Sequence, residues 1–142
     1  MWRVGESSTM GTLQKISFEV HLKELRAKFE KAWSRDTCWH KMDFHPKVPS
    51  GGQCFVTAMI VQDIFGGDLI QGTVFTTTHY WNLLPNGREY DLTSDQFDGC
   101  SISMSKGDGI HAHPDSIRSN KFVNPNRRCK RYLLLKKRIV ET

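Results

Sequence analysis

Cys54 is the residue whose surroundings best suit covalent chemistry. It follows Gly51 and Gly52 and precedes apolar residues spaced as on a buried helix face, which predicts that it starts a helix. At a helix start, unpaired backbone N–H groups and the helix dipole favour a thiolate. The same N–H groups, that of Cys54 included, can bind an oxyanion. Many cysteines that only pack in a core have similar neighbours, so the assignment of Cys54 as a nucleophile also requires a base for its thiol.

His79 is the candidate base, and Asp91 is the candidate group that orients it. A thiol nucleophile needs a base for its proton, and the base needs a group that fixes its tautomer and stabilises its cation. We expect the two residues on neighbouring strands joined at the turn Pro85–Gly87. A three-residue turn pairs Trp81 with Asp91, which places Asp91 diagonally across from His79 on one face. A two-residue turn pairs Asn82 with Asp91 instead; proline, asparagine and glycine in this order favour the longer turn.

Each of these residues also has a simpler interpretation. A histidine in an aromatic strand is often a packing residue, and an aspartate near a strand end is often a turn or cap residue. Asn82 and Asp95 are alternative orienting groups for His79. The hypothesis therefore rests on the combination of the three residues.

Further side chains could serve a substrate or an oxyanion. Gln53 could donate a side-chain N–H to an oxyanion or cap the helix, and we include Asn82 in the same group. Trp81 and Trp39 could form walls of a cleft that excludes water, or pack in the core and at its rim.

The periodicity predicts the elements that position these residues. Helices are expected over about Ser17–Trp33 and Cys54–Phe65, and a last helix from Asn124-Pro125 onward. The last helix is expected to direct five residues to the core: Cys129, Tyr132, Leu133, Ile139 and Val140.

The strands are expected in the middle of the chain. Residues 69–84 are β-branched and aromatic and predict two strands, and Arg88–Leu92 predicts a third. Residues 1–11 are expected to be a loosely ordered leader, 37–50 an irregular loop, and 93–120 mostly loop with one or two short elements. The fold class is α+β, a single domain over residues 1–142, with the nucleophile helix on a small antiparallel sheet and helices at both ends.

Composition limits the classes of protein. The chain has 142 residues, 38% of them hydrophobic, which suits one globular domain. No apolar run approaches the roughly 20 residues of a membrane span, and the first residues lack a signal-peptide core, so a cytoplasmic protein without a membrane partner is expected.

The charge of +5 is concentrated near the C-terminus, where nine Lys and Arg residues and no acidic residue lie between Arg118 and Arg138. This segment supports an alternative function, a non-catalytic protein that binds an acidic partner or nucleic acid. Six of the basic residues also fit the solvent face of one helix: Arg127, Arg128, Lys130, Arg131, Lys136 and Lys137. Nucleic acid therefore ranks below an acyl substrate as a partner.

The four cysteines are scattered and are expected to be free thiols in a reducing compartment. Five residues are candidate metal ligands: Cys38, His40, His45, His111 and His113. Their spacing matches no established ligand pattern. We therefore expect no metal ion and no cofactor.

The motifs also resemble known families. Residues 52–56, Gly-Gln-Cys-Phe-Val, are similar to the Gly-Gln-Cys-Trp-Val nucleophile motif of transglutaminases, with Phe55 in place of tryptophan. Residues 52–58, 79–82 and 91–97 together resemble more closely the small YunG-like family. The transglutaminase-like likeness implies a papain-like core in which Cys54 is the nucleophile, His79 the base and Asp91 the orienting residue.

The expected function is therefore thiol-dependent acyl transfer. The substrate would be a protein or an amide-containing small molecule, as for a peptidase, amidase, deamidase or small transglutaminase-like enzyme. The sequence leaves open whether water or an amine receives the acyl group, and it does not indicate the oligomeric state.

Overall fold

The computed structural model describes the backbone of residues 8–74, 77–97, 108–112, 117–122 and 126–141. Side chains are described for residues 18–74, 77–97, 108–112 and 126–141.

Three α-helices lie in the described part of the chain: α1 Ser8–Ala32, α2 Cys54–Phe65 and α3 Lys130–Val140. Each was predicted; α2 has the predicted bounds, whereas those of α1 differ. Helix α1 begins before the predicted Ser17, so residues 8–11 of the expected leader are helical, while residues 1–7 lie outside the described residues. The predicted start of α3 at Asn124-Pro125 also lies outside them. Short 3-10 helices span Lys41–Asp43 and Ser94–Phe97.

The predicted apolar face of α1 is the one that enters the core. Leu22, Leu25, Phe29 and Trp33 are buried at the expected helical spacing. The indole Nε1 of Trp33 donates a 2.9 Å hydrogen bond to Oγ1 of Thr57, which joins the end of α1 to α2.

Within the described residues, the sheet has four antiparallel strands in the order β3-β2-β1-β4. They are β1 Asp68–Val74, β2 Thr77–Leu83, β3 Glu89–Tyr90 and β4 Ile117–Phe122. The first two occupy the β-branched segment as predicted. Strand β4 begins in residues 93–120, which were expected to be mostly loop with one or two short elements, and it ends beyond them at Phe122. In the central pair, Ile70 lies opposite Trp81 and Gly72 opposite His79.

The turn between β2 and β3 has the three-residue form that its sequence favours. Asn82 pairs with Tyr90, and the N–H of Leu84 donates to the carbonyl of Arg88 at 2.9 Å. Gly87 takes the left-handed conformation with φ of 82°. Strand β3 is shorter than predicted, so Asp91 is the first residue after it.

The core face of α3 differs from the prediction. Tyr132, Leu135 and Ile139 are buried, whereas Leu133 and Val140 are 53% and 73% exposed. Residues separated by three and four positions share one helix face, and the next residue lies about 100° around the axis. Leu133 and Val140 therefore turn together away from the core, so their assignment to it was wrong.

The packing of the helices and the sheet places Cys54 where α2 meets the sheet. Helix α2 packs against β1 and β2, and α3 packs against α2 and α1. The result is an α+β fold in which the terminal helices flank the central one. In the described residues, no helix combines the length and apolar character of a membrane span.

Candidate active site

Cys54 is the first residue of α2 and directly follows a tight loop. The carbonyl of Gly52 accepts a 2.8 Å hydrogen bond from the N–H of Trp39, and the Cys38 thiol donates to the carbonyl of Gly51 at 3.4 Å. Gly52 has a φ of +74°, and a Cβ atom there would lie 2.5 Å from Cys38 Sγ. Glycine is required because the preceding loop passes so close to the start of the helix.

The structure brings His79 and Asp91 into direct contact. Their Nε2 and Oδ2 atoms are 2.6 Å apart, and both side chains are almost fully buried. The other carboxylate oxygen, Oδ1, accepts 3.0 Å hydrogen bonds from the backbone N–H and the hydroxyl of Thr93. Sequence reasoning did not assign Thr93 a role at the site, although Asp-x-Thr is a pattern in which the first side chain bonds two residues onward.

Aromatic rings hold the imidazole of His79 from two sides. Trp81 stacks on it with the ring centroids 5.8 Å apart and the planes at 26°, and Phe97 meets it edge-on at 4.9 Å. Because Nε2 is bonded to Asp91, Nδ1 is the ring nitrogen left for the thiol side.

The electrostatic setting favours a protonated imidazole. Burial acts to lower the pKa of His79, but the charge and hydrogen bond of Asp91, followed by the hydrogen bond and charge of the Cys54 side chain, raise it to about 10. The pKa of the Tyr80 phenol is also raised, by burial and then by the charge of Cys54. The Cys54 side chain thus interacts with both groups, and Cys54 and Tyr80 line the same cleft.

Among the predicted site residues, the structure thus gathers Cys54, His79 and Asp91. The two alternative orienting groups are engaged elsewhere. Asn82 donates from Nδ2 to the carbonyl of Ala58 at 2.9 Å, which ties β2 to α2. Asp95 pairs with a guanidinium of α1.

The other predicted supporting residues have structural bonds. Gln53 is fully buried at the N-cap of α2, yet its side chain makes no capping bond; Nε2 donates to the carbonyl of Ser34 at 3.1 Å. The side-chain cap, one of the two roles considered for Gln53, is therefore absent. Trp81 is buried and donates to Glu89 at 2.8 Å. Substrate or oxyanion roles for Gln53, Asn82 and Trp81 stay predictions.

A cleft of about 770 Å³ opens beside Cys54. Trp39, Phe55 and Tyr80 give it aromatic walls, and Trp39 is 63% exposed. Thr77, Thr78 and Gln96 add polar groups, and α3 contributes Arg131. The sequence placed Arg131 on a solvent face, and no local pattern distinguished it from the other basic residues.

The residues considered for a metal site do not gather. In the described part of the chain, no group of three or more His, Cys, Asp or Glu side chains could hold a metal ion. His111 contacts Asp108 at 2.5 Å and Glu19 at 3.5 Å, and His113 lies outside the described residues.

The basic C-terminal segment takes part in internal contacts. Arg127 and Lys136 both pair with Asp63 of α2, at 2.8 and 3.2 Å, and Arg138 donates to the carbonyl of Ala32 at 2.7 Å. Arg127 and Lys136 were two of the six basic residues expected on the solvent face of one helix; both instead pair with α2, and Arg127 lies before the start of α3. Binding of an acidic partner or nucleic acid by this segment stays a prediction.

Comparisons with known proteins match this chain to one family. The model of the family described as YunG protein covers residues 21–142. One curated relative, the YunG protein of Bacillus subtilis (strain 168), is 40% identical over 68 residues, which are 48% of this chain and 56% of that protein. The match thus spans little more than half of the relative's length. No solved structure matches the chain.

Proposed function

The chain belongs to the YunG family, and we propose that it is a thiol-dependent acyl-transfer enzyme with Cys54 as nucleophile. The observation that carries the proposal is the buried 2.6 Å contact between His79 and Asp91, with the Cys54 side chain close enough to raise the pKa of the imidazole. A base, its orienting carboxylate and a thiol at a helix start are the parts that nucleophilic catalysis requires.

The proposed reaction starts from a Cys54 thiolate beside the His79 imidazolium. The sulfur attacks the carbonyl carbon of an amide or ester and forms a tetrahedral intermediate, whose oxyanion the Cys54 backbone N–H stabilises. His79 then gives its proton to the departing amine or alcohol, and a thioester remains on the sulfur. Water, or a second amine, loses a proton to His79 and attacks the thioester, which releases the acyl product and the thiolate.

The order of the elements supports a papain-like core as part of this proposal. The cysteine begins a helix, the histidine lies on the second strand, and the aspartate follows the third strand. Transglutaminase-like thiol enzymes, which the motifs resemble, have the same order. Phe55, which stands where transglutaminases carry tryptophan, packs on Tyr80 with the ring centroids 4.9 Å apart.

The cleft indicates how a substrate would approach. Cys54 is partly exposed at the cleft while His79 and Asp91 are buried behind it. The substrate therefore meets Cys54 at the cleft and His79 beside the sulfur, whereas Asp91, which bonds to His79 and Thr93, does not need to contact it. A protein side chain or a small amide fits this arrangement.

The experiment is alkylation by iodoacetamide at pH 6, followed by mass spectrometry of the Cys54 peptide. We expect the rate constant to fall at least about tenfold in His79→Gln and in Asp91→Asn, because an imidazolium no longer supports the thiolate. His45→Ala, which removes an exposed histidine outside the site, is the control and should react like the wild type. Equal rates in the wild type and both site variants would exclude the proposed mechanism.

A further inference from the structure

Arg131 is a cation in the cleft whose charge the proposed reaction does not use. Its guanidinium lies over the ring of Trp39, 4.8 Å from the centroid. Its Nη1 is buried and has no hydrogen-bond partner among the described residues. By contrast, Arg127 and Arg138 of the same basic segment are both bonded to groups of neighbouring helices.

The cleft around Arg131 holds no carboxylate among its described residues. Of the described residues that line it, none is an aspartate or glutamate, and Arg131 is the only Lys or Arg. A buried donor without a partner costs free energy, so the unpaired Nη1 beside a cleft points to a hydrogen-bond acceptor that a bound ligand supplies. Trp39 lies over the guanidinium, so a bound ligand would accept hydrogen bonds from the N–H groups in the guanidinium plane.

A guanidinium in this setting matches a carboxylate, which can accept two parallel N–H bonds from it. Cys54 lines the same cleft, so a substrate held by Arg131 would extend to the sulfur. Trp39 lines this cleft, is 63% exposed and lies next to the guanidinium. The cleft therefore combines an anion-binding group with the proposed nucleophile.

We propose that Arg131 is a specificity-determining residue that selects acyl substrates carrying a carboxylate near the bond that is cleaved. The inference rests on the proposed function, since it takes Cys54 as the reacting atom. Two sources supply this chemistry: the C-terminal carboxylate of a peptide, or the side-chain carboxylate of an aspartate or glutamate.

The first test compares two alkylating agents that differ in charge. Iodoacetate carries a carboxylate where iodoacetamide carries a neutral amide, and both form the same bond to sulfur with loss of iodide. We expect the rate constant for iodoacetate divided by that for iodoacetamide at Cys54 to be about tenfold lower in Arg131→Gln than in the wild type. This factor corresponds to the loss of one hydrogen bond to a charged group. Arg131→Lys should retain part of the preference, because it keeps the charge without the planar edge.

Lys130→Gln is the matched control, since Lys130 is exposed, precedes Arg131 and does not line the cleft. Its ratio should equal that of the wild type. A ratio that is the same in the wild type and in Arg131→Gln overturns the inference, even where iodoacetamide still reacts in a His79-dependent way. Loss of His79 dependence in the iodoacetamide reaction would instead overturn the proposed function.

The second test uses the wild-type protein alone, so it does not depend on the folding of a variant. Alkylation of Cys54 by iodoacetamide is measured with three competitors: N-acetyl-glycylglycine, its C-terminal amide, and N-acetyl-aspartate with its α-carboxyl amidated. We expect protection by one of the two acids and none by the neutral amide. The acid that protects identifies the source of the carboxylate, and protection by neither overturns the inference.

Discussion

The carboxylate of Asp91 has two structural roles, one for each of its oxygens. Oδ2 bonds to His79, and Oδ1 accepts two hydrogen bonds from Thr93. The interpretations of this residue as a turn former and as an orienting group are therefore compatible. The bonds to Thr93 fix the carboxylate and so make it a rigid partner for the imidazole.

The pH dependence of stability is the prediction at the scale of this residue pair. The folded-state pKa of His79 is raised from 6.5 to about 10, so folding takes up a proton between these values. Its contribution to stability is fully present below about pH 6.5 and is lost as the pH rises through about 10. We expect the stability difference between the wild type and His79→Gln, measured by urea unfolding, to shrink over this interval.

The same titration can be followed directly by NMR of the imidazole ring. Asp91→Asn should lower the pKa of His79, because it removes the carboxylate charge that raises it. A wild-type His79 that titrates near 6.5 would contradict the assignment of Asp91 as its charged partner.

At the scale of elements, the hairpin and the loop before α2 set the site in different ways. The turn Pro85–Gly87 fixes the register of β2 and β3, and a shift of one residue would turn Asp91 to the other face. The loop before α2 depends instead on a close approach, since Gly52 leaves room for Cys38. One element depends on local turn geometry and the other on a contact between segments.

The second glycine of the loop yields the prediction at this scale. Gly52 and Gly87 both have positive φ, but a Cβ at Gly87 would meet no atom within 4 Å. Alanine at Gly87 should cost about 1 kcal/mol for the backbone conformation alone. Gly52→Ala should cost at least about 1 kcal/mol more, since its Cβ overlaps Cys38 Sγ, and should also slow alkylation of Cys54. Urea unfolding and the alkylation assay measure both effects.

Cys38→Ala provides the control for that overlap. Removing the sulfur makes room for the new Cβ, so Gly52→Ala should be less costly in the Cys38→Ala background than in the wild type. An equal cost in both backgrounds would show that the contact with Cys38 does not determine the need for glycine.

At the scale of the molecule, an ion pair connects the N-terminal helix to the segment that follows Asp91. Arg26 Nη2 lies 2.5 Å from Asp95 Oδ2, and their side chains are 10% and 26% exposed. Arg26 also lies 4.7 Å from the centroid of the Trp33 ring. This pair fastens the 3-10 helix that carries Phe97 against α1, and Phe97 supports the imidazole.

We expect Arg26→Met to destabilise the protein by about 3 kcal/mol, because Asp95 is left without its cation in a mostly buried position. Lys41→Met is the control: Lys41 and Asp36 are 3.4 Å apart but 72% and 60% exposed. Its cost should stay under about 1 kcal/mol, since exposed pairs gain little in water. Similar unfolding midpoints in urea for the two variants would contradict this difference.

The sequence by itself determined the features that depend on near neighbours in the chain. The helix start at Cys54 follows from apolar spacing, and the hairpin register follows from the order of turn residues and the two-residue period of a strand. These two features were enough to predict that His79 and Asp91 lie on one face. The buried face of α1 was equally predictable, because its helical spacing is regular.

Only the tertiary structure decided which groups are the bonding partners of the remaining polar side chains. Gln53, Asn82 and Asp95 find partners 19, 24 and 69 residues away in the chain, so no local rule identifies them. The buried face of α3 and the place of Arg131 in the cleft likewise depend on how α3 packs against α2 and α1. The physical reason is that helix and turn preferences act over a few residues, whereas burial and pairing of a charge depend on which distant segments come together.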